Sequence, residues 1–460
     1  MSIVKPPTME ELIKTYGSKK AAVLHLIKSG FTPEQIEWKF GLPYYLIRLY
    51  MKGFEPKGKT LFSEIVSLYD RIALLRSKKG KETELTKFFQ RKDLSLEFKV
   101  RLTLGKIVDE SLKIGPGTIE RALSIATGKS LQEVRRLLID YGEHGEVAYL
   151  LKEPKQGELT VEEVYEAIRL LPNLKKIHER ERIVASLLKR ANRDEAKYIV
   201  RLLLGDLKLG VKQGTVIRAV SRAYNVPVEL IESACAVLGI TDGLMLAPKG
   251  IEALSAVKLR PGQFIKPQLA HLYEPDKVVF PVRAEYKVDG SRLQIHKWGT
   301  KIWLFSRRGI EKSKTLPEIV EIASKFKAQS CMIDSEVVAI DKDGNFLPFQ
   351  FLLERTVPRE LKPEELEERK RRVGVTIKVF DTLYLNGQVL TDLPLRERIK
   401  YLEEVVPKEY LMEGRTCRNE VELISFYDEA LKKGFEGLVV KNLEAKYEIG
   451  KRTYAWLKLK

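Results

Sequence analysis

The stretch EYKVDGSR, residues 285–292, sets Lys287 two residues before an aspartate, with a glycine turn at Gly290 and a cation, Arg292, five residues on. The chemistry this arrangement could serve is attack by an amine. A free lysine is protonated near neutrality, with a reference pKa of about 10.4, so Lys287 could act as a nucleophile only where burial, neighbouring cations or a bound metal strip its proton. KxDG is short and matches many surface loops by chance. On this stretch alone a nucleophilic lysine and an ordinary surface lysine both stand.

The elements that must hold such a lysine are legible in the texture around it. After residue 250 the chain alternates β-branched segments, VVFPVRAEYKV, SRLQIHKW, KIWLFSR, CMIDSEVVAID, VTIKVFDTLYL and GFEGLVVKN, with turns and a helix expected at 360–372. This predicts an α+β domain on antiparallel sheet over residues 251–460. Residues 58–250 read as helical throughout and carry an internal repeat: RLTLG (101–105) returns as RLLLG (201–205), and GTIERALSIA (117–126) as GTVIRAVSRA (214–223). Each copy runs a glycine-containing turn into a helix, at Gly117 and Thr118 and again at Gly214 and Thr215. Glycine lets a backbone approach, threonine can cap the helix, and free amides suit a phosphate. A capped helix with nothing bound is the commoner fate of one such turn. Two copies in a basic, duplicated region favour a grip on a nucleic-acid backbone at two places. TGKS at 127–130 resembles the end of a phosphate-binding GxxxxGKS loop, but Leu123 stands where the first glycine belongs and no strand precedes it.

Residues 1–57 form a third region of short helices. Residues 30–53 start a helix at Thr32 and Pro33, carry Ile36 and Phe40, turn at Gly41 and continue through Leu46, Ile47 and Leu49. That is a helix-turn-helix pattern in which Tyr44, Tyr45, Arg48 and Lys52 would decorate the second helix. A packed helical hairpin without a DNA role fits the pattern equally.

Composition narrows the partners. Lys and Arg number 81 against 63 Asp and Glu, a net charge of +18, which favours a polyanion such as nucleic acid over a membrane surface. The N-terminus lacks the apolar run of a secretory signal and no stretch is apolar enough to span a bilayer, so an intracellular protein is expected. Cys235, Cys331 and Cys417 form no CxxC pair, which leaves no zinc ribbon or disulfide framework. A charged fraction of 31%, rich in Lys and Glu, resembles heat-adapted proteins.

The blocks downstream of Lys287 are similar, in order, to those of ATP-dependent DNA ligases of the archaeal and eukaryotic type. FSRR (305–308), IDSEVVAID (333–341), VFDTLYLNG (379–387), EGLVVKN (436–442) and WLKLK (456–460) resemble the successive signature blocks of that nucleotidyltransferase family. Upstream, EAKYIVRLLLGDLKLGV (195–211) resembles its helical DNA-binding domain and IKPQLA (265–270) the entry to its adenylation domain. The resemblance implies that Lys287 attacks the α-phosphate of ATP and forms a lysine–AMP phosphoramidate, and that AMP then passes to the 5′-phosphate of a nick in duplex DNA before the 3′-hydroxyl attacks. It implies that Lys441, Lys458 and Lys460 are the family's cations, that Arg292 and Arg307 hold ribose and phosphate, and that Glu285 reads the base over which Phe380 stacks. Glu336 and Glu436 match metal-binding carboxylates, which suit Mg²⁺, with Mn²⁺ as the alternative. A monomer at the nucleoid serving replication, repair and recombination, with a sliding clamp as a further partner, completes what the resemblance implies.

Arg308 stands where the family has asparagine and Ser335 where it has glycine, so local substrate contacts differ. The chain ends at Lys460, before the OB-fold domain into which family members continue, and the expectation is a fragment or an incomplete activity. An RNA ligase or capping nucleotidyltransferase shares KxDG, but the duplicated helical domain argues against it. An NAD-dependent ligase would carry a cysteine zinc site. A nick-binding protein without catalysis is the alternative of another class.

Overall fold

A computed structural model describes residues 7–356 and 363–460. The chain divides into two compact units, Met1–Val228 and Glu229–Lys460. The division falls at the start of the helix Val228–Leu238, upstream of the change of texture at residue 250. Val237 from that helix and Leu259 pack with Ile265, Met332, Phe380 and Trp456, so the segment belongs physically to the sheet-containing unit. Residues 7–57 share the first unit with the helical repeat and do not stand apart from it.

The first unit is helical, as its 3.6-residue periodicity predicts. The repeat is visible as two helix pairs, Leu96–Leu104 with Pro116–Thr127, and Arg193–Leu204 with Gln213–Tyr224. Both leading helices stop at a left-handed glycine, Gly105 (φ 65°) and Gly205 (φ 75°). The copies exchange partners: helix Lys78–Gln90 packs on Gln213–Tyr224, while Ile177–Arg190 packs on Pro116–Thr127. Equivalent ion pairs tie each exchange, Glu82 with Arg218 at 2.9 Å and Glu181 with Arg121. Gly117 and Gly214 are each the second residue of their helix and Thr118 and Thr215 the third, so the threonines are buried and do not cap. The helices start at Gly115 and Lys212 without a side-chain cap, which corrects the expected role of both threonines.

The N-terminal pattern folds as expected at its start, where Thr32 and Gln35 form a capping box ahead of Pro33–Phe40. The second helix, Tyr44–Met51, is not free to enter a groove. Tyr44 and Tyr45 are buried, Tyr45 donates to Glu163 Oε1 at 2.9 Å, and Arg48 pairs with Glu179 at 3.0 Å. Arg190 also pairs with Glu163, at 2.7 Å. The side chains expected to decorate the helix are engaged in packing, apart from Lys52, which is exposed.

The second unit carries β1 (Leu269–Leu272), β2 (Val282–Tyr286), β3 (Ser291–Trp298), β4 (Lys301–Ser306), β5 (Ser330–Ile340), β6 (Gly374–Leu385), β7 (Gln388–Val389), β8 (Gly414–Cys417), β9 (Leu438–Asn442) and β10 (Arg452–Leu459). They form two sheets, ordered β1-β10-β9-β2-β8 and β4-β3-β5-β6-β7. Every pairing is antiparallel except β1 with β10. Helices Pro317–Ser324 and Leu395–Val405 cover the second sheet, and Glu420–Lys432 packs on the first. The expected helix at 360–372 is described over Pro363–Arg372, its first residues lying outside the described stretch. Among the described residues no helix is long and apolar enough to cross a membrane.

Candidate active site

The two sheets of the second unit enclose a cavity of about 340 Å³, and strand periodicity decides what enters it. Glu285 comes from β2, Arg292 from β3, Glu336 from β5, Phe380 from β6, Lys441 from β9 and Lys458 from β10, each from the face turned inward. Lys287 follows β2 and Arg307 follows β4. The expected residues of this unit therefore converge, including Glu436 and Lys460, which join through ion pairs at the mouth. Gly117, Thr118, Gly214 and Thr215 lie in the other unit.

One end of the cavity is apolar and closed. Lys441 is 1% exposed and its Nζ lies 2.5 Å from Glu285 Oε2, itself 5% exposed. The ammonium faces the rings of Phe380 and Trp456 at 4.2 and 4.6 Å. Burial lowers its pKa, and Glu285 opposes that shift. Lys441 thus stands at the ring end of the pocket, beside the residue expected to read a base.

The other end is cationic and open. Lys287 Nζ and Lys460 Nζ each pair closely with one oxygen of Glu436. Burial raises the Glu436 carboxyl, but the hydrogen bonds from the two lysines outweigh it and hold the pKa below the ordinary value. Lys458 is lowered by burial and then by Lys287, Arg307 and Lys460 around it. Glu336, opposite Arg292 in the β3–β5 register, is pushed up to about 7 by burial, with Arg292 and Lys287 pulling the other way. A carboxyl so poorly compensated by protein cations would gain from a divalent ion.

Two glycines permit this closeness. A Cβ on Gly290 would stand 2.4 Å from Val337 O and 2.8 Å from Glu336 Cγ. One on Gly437 (φ 146°) would stand 2.0 Å from Leu459 O, while Gly437 O accepts from the Lys287 amide at 2.9 Å. Gly437 therefore lets β9, β10 and the lysine turn meet.

Sequence reasoning missed the group that orients Arg292. Asp334, fully buried, takes the guanidinium through Oδ2 at 2.6 Å and Oδ1 at 3.3 Å. Tyr447 donates to Asp334 Oδ2 at 2.5 Å, and Gln268 O accepts from Arg292 at 2.6 Å. Asp334 stood inside a recognised block. Tyr447 lay between blocks, and nothing in its sequence context marked it.

Residues 267–460 match the family described as ATP dependent DNA ligase domain, and residues 61–221 match DNA ligase N terminus. Over 424 residues the chain is 32% identical to a DNA ligase of Thermococcus fumicolans, a match spanning 87% of this chain and 75% of that one. A DNA ligase of Nanoarchaeum equitans is 33% identical over 427 residues, spanning 87% of this chain and 74% of its own. The solved structure Pmar-Lig_Pre has a TM-score of 0.54 at 16% identity, over 86% of this chain and 77% of that one, a likeness of fold.

Proposed function

The chain belongs to the ATP-dependent DNA ligase family, and we propose that it seals nicks in duplex DNA with Lys287 as the nucleophile that carries AMP. The observation that supports this most directly is the polarity of one cavity. Its closed end pairs an aromatic wall, Phe380 and Trp456, with Glu285 and Lys441, as a purine would need, and its open end gathers cations around a lysine, as a phosphate would need.

Glu285 offers an acceptor to the exocyclic amine of adenine, and Lys441 Nζ, 2.5 Å from its Oε2, supplies the buried counter-charge. Guanine presents a carbonyl oxygen there and would meet two acceptors face to face. Arg292, locked by Asp334, and Arg307 hold ribose and phosphate. The Lys287 amine forms a bond to the α-phosphorus while the bond to the β-phosphate oxygen breaks and pyrophosphate departs. Its proton leaves from an ammonium already hydrogen-bonded to Glu436. Negative charge growing on the non-bridging oxygens meets Lys458, Lys460 and Arg307, held in place beforehand. AMP then moves to the 5′-phosphate of a nick, and the 3′-hydroxyl displaces it.

Mg²⁺ fits Glu336 and Glu436: hard carboxylate oxygens beside a phosphate site are what an ion that keeps much of its water requires, and Glu336 lacks full compensation otherwise. Among the described residues no cluster of three acidic, His or Cys side chains could hold a metal by protein ligands alone, which agrees with an ion shared with a phosphate. When bound, Mg²⁺ or Mn²⁺ would neutralise phosphate charge.

The first unit would hold the duplex through its backbone, with the amides at the starts of helices Pro116–Thr127 and Gln213–Tyr224, at the half-buried Gly117 and Gly214, meeting phosphates at two related places. Labelled ATP followed by denaturing electrophoresis tests the core of this reading. The unaltered chain should take up label and Lys287→Ala should not; label on the Lys287→Ala protein would refute the assignment.

A further inference from the structure

Lys287 and Glu436 are long side chains on separate segments, and their meeting depends on what fixes the two backbones. For Lys287 the answer is plain: β2 pairs with β9 as far as Tyr286, and the Lys287 amide adds one more bond, to Gly437 O. For Glu436 it is not. Residue 436 precedes β9, which begins at Leu438, and follows the helix Glu420–Lys432. Its segment lies between Gly434 (φ 83°) and Gly437 (φ 146°), two positions whose backbone a side chain would not steady. No ladder holds it.

Phe435 does. Its ring lies on that of Tyr286, centroids 4.4 Å apart and planes within 8°. Tyr286 immediately precedes Lys287, and Phe435 immediately precedes Glu436, so one stack joins the residues next to both members of the pair. Tyr286 is itself clamped. Its hydroxyl donates to Glu429 Oε1 at 2.9 Å and accepts from Lys433 Nζ at 2.7 Å, and that ammonium also lies 5.0 Å from the ring centroid. Arg415 braces Glu429 at 2.8 Å. Phe426 also packs on Tyr286, at 5.0 Å, but it lies within the helix Glu420–Lys432 and is not adjacent in the chain to either member of the pair.

We propose that the Tyr286–Phe435 stack is the positioning element that sets Glu436 against Lys287, and that Phe435, which does not line the nucleotide cavity, acts on enzyme adenylation through that pair. This rests on Lys287 being the adenylated lysine. Misplacement of a reacting group by about 1 Å can cost roughly 100-fold in rate. Loss of a stack that leaves the strands intact should cost less, about tenfold.

The test is single-turnover labelling of the full chain by ATP, over a range of ATP concentration, with thermal unfolding in parallel. Phe435→Leu keeps an apolar side chain and loses the stack. It should lower the maximal labelling rate about tenfold and leave the half-saturating ATP concentration unchanged. Phe435→Tyr should keep the parental rate. Phe426→Leu should lower the unfolding temperature without changing the rate. Should Phe435→Leu not fold, Lys433→Met, which removes one of the two partners of the Tyr286 hydroxyl, should slow labelling in the same direction with half-saturation unchanged. A Phe435→Leu or Lys433→Met protein with parental rate would overturn the proposal, as would equal slowing by Phe426→Leu. If the unaltered chain took no label at all, the nucleophile assignment would fall and the positioning role with it; labelling of the unaltered chain with an indifferent stack would remove the positioning role alone.

Discussion

Replacing Lys441 by methionine separates the two charges at the closed end of the pocket and exposes what each costs alone. Lys441 and Glu285 are 1% and 5% exposed and 2.5 Å apart. Methionine fills much the same volume, so the change leaves a buried carboxylate in an aromatic setting with Arg283 Nε, 3.7 Å from its Oε1, as a remaining cation. Removing one partner of a buried pair costs about 3–5 kcal/mol, and the lost ammonium contacts with Phe380 and Trp456 add roughly 1–2 kcal/mol. Glu285→Gln alone strands the ammonium and should cost a similar amount. The double variant carries neither charge, so its loss should fall below the sum of the singles by at least about 2 kcal/mol. Denaturant unfolding of all four proteins measures this, with Trp456, 4.6 Å from the ammonium, as a local fluorescent reporter. The same proteins should differ in nucleotide choice. Without Lys441, Glu285 loses the cation that holds its acceptor in place beside the rings, so the ratio of ATP to GTP labelling should fall. Strictly additive stability losses would refute the idea of a mutually compensating pair, and an unchanged ratio would refute its part in base selection.

Gly437→Ala must move Leu459 O, which would lie 2.0 Å from the new Cβ; a shift of about 1 Å between β9 and β10 should slow self-adenylation roughly 100-fold, while duplex affinity in a gel-shift assay stays unchanged. His296 is fully buried, with burial pressing its pKa down to about 3 from 6.5. Between those values the unfolded chain binds a proton that the folded one refuses, so stability should fall as pH drops through that window by up to ~1.4 kcal/mol per unit. His296→Gln should flatten the slope by one proton in unfolding measured from pH 7 to 4; an unchanged slope would contradict it. Bulky residues at Gly117 and Gly214 together should weaken duplex binding more than either alone, with a shallower salt dependence, and equal effects would argue against two related contacts.

Periodicity and block order carried most of the fold. Strands β3, β5 and β6 fall within the segments SRLQIHKW, CMIDSEVVAID and VTIKVFDTLYL that their β-branched content marked, although β3 and β5 are buried on both faces and show no burial period of two. The internal repeat was legible for a local reason: the leading helix of each pair ends in a glycine in the left-handed region, Gly105 and Gly205, where a side chain would be strained. The candidate site residues were legible because their blocks follow, in order, those of the family that the chain resembles.

Tertiary packing decided the rest. Thr118 and Thr215 look like caps in sequence and are buried third residues of their helices, since the chain enters each helix from an uncapped residue. Tyr44, Tyr45 and Arg48 look like a groove-facing surface, but Tyr44 is buried and donates to Glu34, while Tyr45 and Arg48 are engaged by Glu163, Arg190 and Glu179, partners more than a hundred residues away. Lys441 looked like one more phosphate-facing cation, and only the pairing of β2 with β9, which sets Arg283 opposite Lys441 and Ala284 opposite Val440, delivers its ammonium to Glu285 beneath two rings. Asp334, Tyr447 and Gln268 form a network from three distant stretches. A linear sequence records which side chains are present and which face of an element they share, but the partners of a buried charge are chosen by sheet order and register, which only the folded chain determines.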